Sequence, residues 1–334
     1  MEDYPALKVL GRVCREKKLP LIFDRQAYEI TGCKQKSRRF FSQHDLPHAR
    51  RPPAAEFPLV IKPSRGSGSR GIIKVEDEAE LEQELERLPG QGDDHLIEEY
   101  LEGPAYSLEV IGSASSYYPL MTTELKFDEN YDCCRVLAGG VISGRQRTEL
   151  SRLARRTARN LNLEGIMDIE FIITDSGPRI MEIDARFPSQ TPLAVYQAGG
   201  PNMVSLLVSQ LAESSKNPQA AESGPGIRSE APGGKAALLE QVLVKRKSDG
   251  FEVVAPIGEH VLAEGEELNL RRDFYGADLA LTDLAVEDKN KSWRAGLMYF
   301  GSNREEIKKR SLCTREKLKR EWEEKGGELI DDKT

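Results

Sequence analysis

The sequence lacks the cysteine patterns that indicate a disulfide framework or a zinc site. Its five cysteines are odd in number, and none of them stands in a Cys-x-x-Cys pair. It also lacks an N-terminal signal peptide and an apolar run long enough to span a bilayer. We therefore expect a cytoplasmic protein that has no membrane partner.

Histidine and excess positive charge are scarce as well. The four histidines are scattered, and each is more simply explained as a structural or exposed residue than as a metal ligand. A formal net charge of -7 argues against a nucleic-acid partner. Residues 147–161 have the periodicity of a helix with arginines along its outer side, but a solvated face explains them better than nucleic-acid binding.

The sequence does contain a predicted β-hairpin that concentrates acidic residues. Two apolar stretches flank a turn sequence at 175–178. Because side chains alternate across a strand, each arm presents two carboxylates on one face. These are Asp168 and Glu170 on the first arm, and Glu182 and Asp184 on the second. The opposite face is predicted to enter a core through Met167, Ile169, Phe171, Met181 and Ile183.

Folding this hairpin would bring the carboxylates together and make a metal site possible. Negative charges placed so closely repel one another unless a cation lies among them, and all-oxygen ligation suits Mg²⁺. Arg186 and a polar run at 189–191 follow directly. A solvated acidic face explains the carboxylates at least as well when they are considered alone, so both interpretations stay open at this point.

A strand that ends on Lys62 runs into a loop rich in glycine and serine at 64–71. Gly66, Gly68 and Gly71 match the dinucleotide-binding pattern, but that fingerprint must open a helix, and here a β-branched run follows. The pattern therefore favours a hairpin loop whose backbone N–H groups close over phosphates. A plain flexible loop is the alternative.

The remaining segments predict a chain of mixed helices and strands. Helices are predicted at 5–17, from 24, from 34, and at 76–88, 147–161, 202–211 and 304–325. Strands are predicted at 21–23, 57–63, 72–75, in the run that ends at 96–103, and at 106–111, 238–244, 253–254, 261–262 and 295–300.

The order of these motifs resembles that of the ATP-grasp carboxylate–amine ligases. The resemblance is carried by Lys34 near a helix start, Lys62 with its loop, the run 97–103, and the late residues Glu170, Glu182, Asp184 and Arg186. A closer similarity, to the 3-methylornithine–lysine ligase family of pyrrolysine biosynthesis, is carried by 107–112, 131–133, 165–168, 182–192 and 256–261. It covers essentially the whole chain.

This resemblance implies an α/β (α+β) ATP-grasp fold with a small β-rich C-terminal unit. We predict a remnant of an N-terminal α/β domain with a connecting helix (1–42), a lid subdomain with the glycine-rich loop (43–105), a catalytic subdomain (106–212), a linker (213–234), and a small C-terminal domain with a charged helical tail (235–334). Members of the family begin with a Rossmann-like domain, and this chain starts near the end of that domain. We therefore expect either a separate N-terminal-domain polypeptide as a partner or a truncated form.

The resemblance also implies a role for individual residues. ATP would be bound by Lys34, Lys62, Ser69, Glu98, Glu99, Tyr100 and Leu101. Mg²⁺, as two ions, would be bound by Glu170, Glu182 and Asp184. The amino-acid substrates would contact Glu2, Ser107, Glu109, Asp184, Arg186, Ser189, Gln190 and Thr191. Arg186 is also the expected catalytic residue, because a guanidinium group suits a carboxylate or a transferred phosphoryl group.

The implied activity is an ADP-forming ligation that makes a C–N bond. The carboxylate of (3R)-3-methyl-D-ornithine, or of D-ornithine, would be activated as an acyl phosphate and joined to the ε-amine of L-lysine. Such chemistry needs no nucleophilic side chain, and none stands out in the sequence. Another ATP-grasp amino-acid ligase and a catalytically incomplete subunit are the alternatives, and a homodimer is a further expectation.

Overall fold

The structure is a computed structural model that describes residues 4–19, 21, 23–66, 68–88, 94–113, 116–214, 234–247, 250–254, 257–264, 267–284 and 292–324. Its helices are α1 (Tyr4–Lys17), α2 (Arg25–Thr31), α3 (Lys34–Gln43), α4 (Glu78–Arg87), α5 (Gly144–Leu161), α6 (Thr191–Gln197), α7 (Met203–Ser214) and α8 (Arg304–Glu324). Its strands are β1 (Leu59–Pro63), β2 (Ile73–Val75), β3 (His95–Glu99), β4 (Ala105–Ser113), β5 (Ser116–Phe127), β6 (Cys133–Ala138), β7 (Gly165–Thr174), β8 (Gly177–Asp184), β9 (Ala236–Lys247), β10 (Gly250–Val254), β11 (Asn269–Phe274), β12 (Ala277–Thr282) and β13 (Trp293–Gly301).

The strands form two separate sheets in which the named neighbours pair antiparallel. The small sheet has the order β2-β1-β3 and packs on α4 through buried Leu59, Ile61, Val75 and Leu81. The large sheet has ten strands in the order β11-β12-β13-β9-β6-β5-β4-β7-β8, with β10 paired to β9. Antiparallel sheets with helices on their faces are an α+β arrangement, so the predicted fold class is confirmed.

The two faces of the large sheet are covered differently. On one face, the predicted amphipathic helix α5 is confirmed and buries Leu150, Leu153 and Ala154 against the strands. The side chain of Ser143 caps its N-terminus by accepting a hydrogen bond from the backbone N–H of Gln146. The opposite face carries a second apolar cluster that includes strand residues of β4, β5 and β9. Part of this second face is left open and lines a cavity.

The acidic hairpin is confirmed as β7 and β8, with one correction. Glu170 lies opposite Glu182, but a β-bulge follows and Phe171 lies opposite Ile180. The extra residue, Met181, was predicted to enter the core beneath the hairpin and instead lines the cavity. Ile180 takes the core position and is fully buried. A bulge inserts one residue, which reverses the alternation of side chains beyond it.

Two short predicted strands are wrong. Leu21 and Phe23 belong to no strand, and the Phe23 ring instead packs on Tyr28 with ring centroids 5.1 Å apart. Residues 261–262 lie in a 3-10 helix, Glu259–Glu264. The backbone N–H of His260 in this segment donates to the side chain of Asp132 rather than to a neighbouring strand, which overrides the β propensity of its sequence.

The large sheet extends across one of the predicted domain boundaries. Strand β9 pairs with β6, so the large sheet continues from the segment 106–212 into 235–334. The predicted linker lies mostly outside the described residues, because only its first two residues, in α7, and Gly234 are described. The division into domains stays a prediction. None of the helices within the described residues is both long and apolar enough to cross a membrane.

Candidate active site

A cavity of about 1720 Å³ lies between the small sheet and the open face of the large sheet. Most residues predicted to bind substrates or metal line it: Lys34, Lys62, Ser69, Glu98, Glu99, Tyr100, Leu101, Ser107, Glu170, Glu182, Asp184, Arg186, Ser189, Gln190 and Thr191. Glu109 is fully buried in the same sheet, behind this surface. Glu2 lies outside the described residues. The fold therefore gathers into one place residues that are widely separated in the sequence.

A buried carboxylate, Glu98, organises the side of the cavity formed by the small sheet. The Nε and Nη2 atoms of Arg38 donate to its two oxygens at 2.5 and 2.8 Å, and Nζ of Lys62 donates at 2.9 Å. Burial alone would raise the pKa of Glu98, but Arg38 and Lys62 outweigh it and lower the pKa to about 2. Glu98 thus stays charged and fixes Lys62. Both of its carboxylate oxygens already accept hydrogen bonds from Arg38 or Lys62, so the Glu98 side chain is not positioned to bind a nucleotide.

Lys34 connects the glycine-rich loop to the acidic hairpin. It is the first residue of α3, and its Nζ donates to the carbonyl oxygen of Gly66 at 2.9 Å and lies 3.1 Å from Oε1 of Glu182. Burial acts to raise the pKa of Glu182, but Lys34 and Lys62 reverse the effect, so its pKa is lowered. A lysine and a carboxylate that are predicted to serve phosphate and metal therefore neutralise each other here.

The glycine-rich loop joins β1 and β2, as predicted, and its tip touches the loop between β5 and β6 and the 3-10 helix Glu259–Glu264. Ser69 donates its hydroxyl hydrogen to the carbonyl oxygen of Tyr131 at 2.5 Å. Gly68 has a φ of +73° and lies so close to the His260 ring that a Cβ there would be 2.6 Å from Nε2. His260 is held in turn by a 2.9 Å contact between its Nδ1 and Asp132. The loop is thus in a closed position over the cavity.

The adenine side of the cavity was predicted at residues 98–101. The side chain of Glu99 is occupied by Arg50, whose Nε lies 2.6 Å from a carboxylate oxygen. The ring of Tyr100 packs edge-on against Tyr131 and stacks beneath Nζ of Lys74 at 4.6 Å from the ring centroid. Because the two carboxylates are engaged, the groups at 98–101 that remain for a nucleotide are backbone groups, the Tyr100 ring and the Leu101 side chain.

The hairpin places four carboxylates in two facing pairs. The pairs are Asp168 opposite Asp184 and Glu170 opposite Glu182. Burial, followed by the charges of Asp168 and Glu182, raises the pKa of Glu170 well above its usual range. A group of half-buried carboxylates that repel one another is a donor set that a hard divalent cation would stabilise, so these residues fit Mg²⁺. Glu170, Glu182 and Asp184 do not yet converge within 4.8 Å of one another.

A second acidic group lies deeper, where β4 pairs with β7. Ser107 donates to Oδ1 of Asp168 at 2.5 Å, and Glu109 lies opposite Asp168 in the sheet register. The pKa of Glu109 is raised by burial and then by the charge of Asp168, and burial also raises the pKa of Asp168. An incoming positive charge, such as an ammonium group, would stabilise the charged forms of these two neighbouring carboxylates.

The segment after the hairpin covers one end of the cavity. Nε of Arg186 lies 2.7 Å from Oδ2 of Asp184, and Ser189 donates to Glu259 at 2.8 Å. Gln190 accepts a hydrogen bond at 2.6 Å from Nε2 of Gln241, a residue of β9. Gln190 is also the N-cap position of α6, with a proline in the first turn of that helix.

Sequence reasoning missed four residues that shape this site: Arg38, Gln241, Glu259 and His260. Arg38 follows Lys34 by four residues on a predicted helix, so the shared helix face was a usable signal. Glu259 and His260, with Asp132, form a cluster whose ligand atoms lie within 4.8 Å of one another. Their bonds to Ser189 and between His260 and Asp132 already account for these groups.

Comparison with known proteins agrees with this geometry. The ATP-grasp domain family matches residues 32–190. The 3-methyl-D-ornithine–L-lysine ligase of Methanosarcina mazei is 32% identical over 309 residues, which make up 92% of this chain and 74% of that protein.

Solved structures that resemble the chain show the same fold. Biotin carboxylase from Campylobacter jejuni has a TM-score of 0.65 at 15% identity, covering 89% of this chain and 68% of that one. The L-amino acid ligase from Bacillus licheniformis has a TM-score of 0.62 at 19% identity, covering 96% and 78%. These likenesses confirm the predicted fold, and the sequence relationship goes further. This chain belongs to the 3-methyl-D-ornithine–L-lysine ligase family of ATP-grasp ligases.

Proposed function

We propose that this chain joins the carboxylate of (3R)-3-methyl-D-ornithine, or of D-ornithine, to the ε-amine of L-lysine, as a step of pyrrolysine biosynthesis. Three Methanosarcina relatives carry the name of that ligase. The observation that carries the proposal is that two lysines, Lys34 and Lys62, face the stacked hairpin carboxylates and Arg186 across one cavity. This combination suits the activation of a carboxylate by ATP and uses no nucleophilic side chain.

The phosphates of ATP, as a co-substrate, would bind between Lys34 and Lys62. Lys62 is supported for this role by its bond to Glu98, which Arg38 fixes from the other side. Lys34 also lies at the N-terminus of a ten-residue helix, where the helix dipole favours an anion. The closed loop over them would exclude water from the transferred phosphoryl group.

Mg²⁺ would be held by Glu170, Glu182 and Asp184, and we infer two ions because the carboxylates form facing pairs. Bound Mg²⁺ supplies neutralisation of phosphate charge. Glu182 would be one of the metal ligands, and Lys34, which pairs with Glu182 in this structure, would pair with the phosphates. The separate pairing of Asp184 with Arg186 keeps a cation next to the same carboxylates.

The reaction would proceed in two steps. A carboxylate oxygen of the ornithine attacks the γ-phosphorus of ATP, the bond to the ADP oxygen breaks, and an acyl phosphate forms. The uncharged ε-amine of lysine then attacks the acyl carbon, phosphate leaves with the bonding electrons, and the nitrogen loses a proton. Arg186 would neutralise the carboxylate and the transferred phosphoryl group in turn, since a guanidinium group can bind either one through two N–H groups.

The buried acidic pair would recognise an amino group of the substrate. Ser107 lines the cavity and touches Asp168, and Glu109 lies directly behind them. An ammonium group at Ser107 would lower the raised pKa values of both carboxylates and be held by their charge. Remote binding of this kind positions the reacting carboxylate.

Product analysis by mass spectrometry tests the proposal. D-Ornithine, L-lysine, ATP and Mg²⁺ should give an ornithyl group on the ε-nitrogen of lysine, with one ADP for each amide. Product on the α-nitrogen, or AMP in place of ADP, would refute the proposed reaction. A screen of other amino-acid pairs distinguishes the alternative, an ATP-grasp ligase with different substrates.

The predicted partners of this chain are tested separately. If a separate N-terminal-domain polypeptide is needed, adding a Rossmann-like domain should raise the turnover of this chain, and high L-lysine should partly replace it. Sedimentation of the purified chain tests the predicted homodimer. The cytoplasmic location also stays a prediction.

A further inference from the structure

One end of the cavity, over β9 and β13, holds a buried polar group that is only half satisfied. Gln241 is 1% exposed, and its Nε2 donates to Gln190. Its carbonyl oxygen Oε1 has no hydrogen-bond partner among the described residues. A buried acceptor left without a donor costs free energy, so an acceptor on the wall of a cavity indicates a ligand that supplies the donor.

The surroundings of Gln241 are apolar and are ordered by the sheet register. Gln241 lies opposite Gly296, and Gly296 lies opposite Leu281. One pair further along the same face, Leu239 lies opposite Met298. Side chains on one face of paired strands are neighbours, so the acceptor stands at the edge of an aliphatic wall.

A glycine keeps this acceptor accessible. A Cβ at position 296 would lie 3.2 Å from Oε1 of Gln241 and 3.1 Å from Cδ1 of Leu262. Any larger residue would therefore fill the space in front of the amide oxygen. Gly296 is buried and forms part of the cavity wall.

We propose that this end of the cavity binds the δ-ammonium group of the ornithine-type substrate, with Oε1 of Gln241 accepting its hydrogen bond. An acceptor facing the ligand selects an N–H donor, and the wall of Leu239 and Met298 suits a chain of methylene groups. The inference rests on the proposed function, because it names the group by which that substrate is held.

The position of Gln241 agrees with this assignment. Gln190, which it contacts, is followed by Thr191, whose buried side chain lies beside Glu109. The two predicted ends of the ornithine site are therefore joined through adjacent residues at the start of α6. The α-carbon end of lysine fits this position less well, because its carboxylate would face the aliphatic wall of Leu239 and Met298.

Binding of matched ligands tests the proposal without requiring turnover. Calorimetry would compare D-ornithine with D-norvaline, which lacks only the δ-amino group, on wild type and Gln241→Leu in the presence of Mg²⁺ and a non-hydrolysable ATP analogue. We expect Gln241→Leu to weaken D-ornithine binding about 10- to 100-fold, as for a lost hydrogen bond to a charged group, and to leave D-norvaline unchanged. Gln83→Leu, on the exposed side of α4, is the matched control.

Two further variants separate recognition from packing. Gln241→Glu keeps an acceptor and adds a charge, so D-ornithine should bind at least as tightly as in wild type. Gly296→Ala keeps the amide but covers its oxygen, so it should weaken D-ornithine without affecting D-norvaline. Thermal melting would verify that each variant is folded.

Equal weakening of both ligands by Gln241→Leu, or no weakening at all, would overturn the inference. A loss confined to L-lysine relative to 6-aminohexanoate, which lacks the α-amino group, would overturn it in favour of lysine. If the binding pattern holds but wild type forms no amide, the proposed reaction fails and the ammonium site stands.

Discussion

Lys34 and Glu182 form an ion pair that closes the cavity between its two halves, with Nζ 3.1 Å from Oε1. Lys34 is the first residue of α3, which precedes the small sheet in the chain, and Glu182 belongs to the acidic hairpin. Loss of solvation acts to raise the pKa of Glu182, but the charges of Lys34 and Lys62 outweigh it and lower the pKa. A nucleotide with its metal brings one negative and one positive partner, so it can replace both members of the pair without leaving either charge unpaired.

The first prediction concerns that carboxylate. Glu182→Gln should lower Mg²⁺-dependent turnover about 10²- to 10³-fold, because one electrostatic stabiliser of the transferred phosphoryl group is lost. Half-maximal turnover should also require a higher Mg²⁺ concentration, because the metal site loses a charged ligand. Asp175→Asn, in the exposed turn of the same hairpin, is the control. Equal turnover of wild type and Glu182→Gln at limiting Mg²⁺ would remove Glu182 from the metal site.

The acidic hairpin was predictable because its signal is local. Alternation along two short strands and a turn sequence were enough to place Asp168, Glu170, Glu182 and Asp184 on one face. The fate of Met181 was not predictable, because no residue in the sequence announces the bulge that carries it to the cavity side. The alternation of side chains along a strand predicts their faces only as far as the first bulge.

Side-chain contacts between residues far apart in the chain could not be predicted from the sequence either. Arg38 and Glu98 lie in a helix and a strand with no sequence pattern in common, yet they form the most buried ion pair of the site. Gln190 and Gln241 likewise meet only because β9 joins the large sheet beside β6. The resemblance to a ligase family identified Glu98, but only the fold shows that its carboxylate serves Lys62.

The second prediction concerns the Arg38–Glu98 pair and stability. Glu98→Gln should lower the free energy of unfolding by about 3–5 kcal/mol, since it leaves buried Arg38 without its counter-charge. Urea denaturation measures the loss. Glu16→Gln, which removes an exposed pair with Arg12, should change the same quantity by less than about 1 kcal/mol.

The pH dependence of this effect has a defined sign. The pKa of Glu98 is lowered to about 2 in the folded state, so its contribution is complete above the ordinary glutamate range and is lost as the pH falls toward 2. The difference between wild type and Glu98→Gln should therefore shrink on acidification. A difference that stays constant from neutral pH to pH 2 would contradict this account.

The third prediction concerns Glu109, where the sign is opposite. Burial and Asp168 raise its pKa, so the folded protein favours the protonated form and loses stability as the pH rises above the ordinary glutamate range. Glu109→Gln should therefore raise the free energy of unfolding of the ligand-free protein at pH 8, by about 1–3 kcal/mol. It should also weaken ornithine binding. Urea denaturation at pH 5 and pH 8 measures the first effect, and a lower stability of Glu109→Gln at pH 8 would refute it.

The last prediction concerns the closed glycine-rich loop, and two of its glycines provide a matched pair. Gly68 and Gly66 both have positive φ angles, +73° and +107°, so alanine strains the backbone at either position. At Gly68 the added Cβ would also collide with His260, whereas at Gly66 it meets nothing within 4 Å. Gly68→Ala should therefore oppose the closed position, and Gly66→Ala should report backbone strain alone.

Two measurements check that contrast. Gly68→Ala should raise the KM for ATP about tenfold more than Gly66→Ala does, which corresponds to about 1.4 kcal/mol of lost closure. Trypsin should cleave after Arg65 and Arg70 faster in Gly68→Ala, and ATP with Mg²⁺ should protect wild type better than the variant, because a closed lid shields its own backbone. If both variants raise KM equally, backbone strain explains the effect and the contact with His260 has no part in closure. If nucleotide leaves cleavage of wild type unchanged, the loop is not a lid.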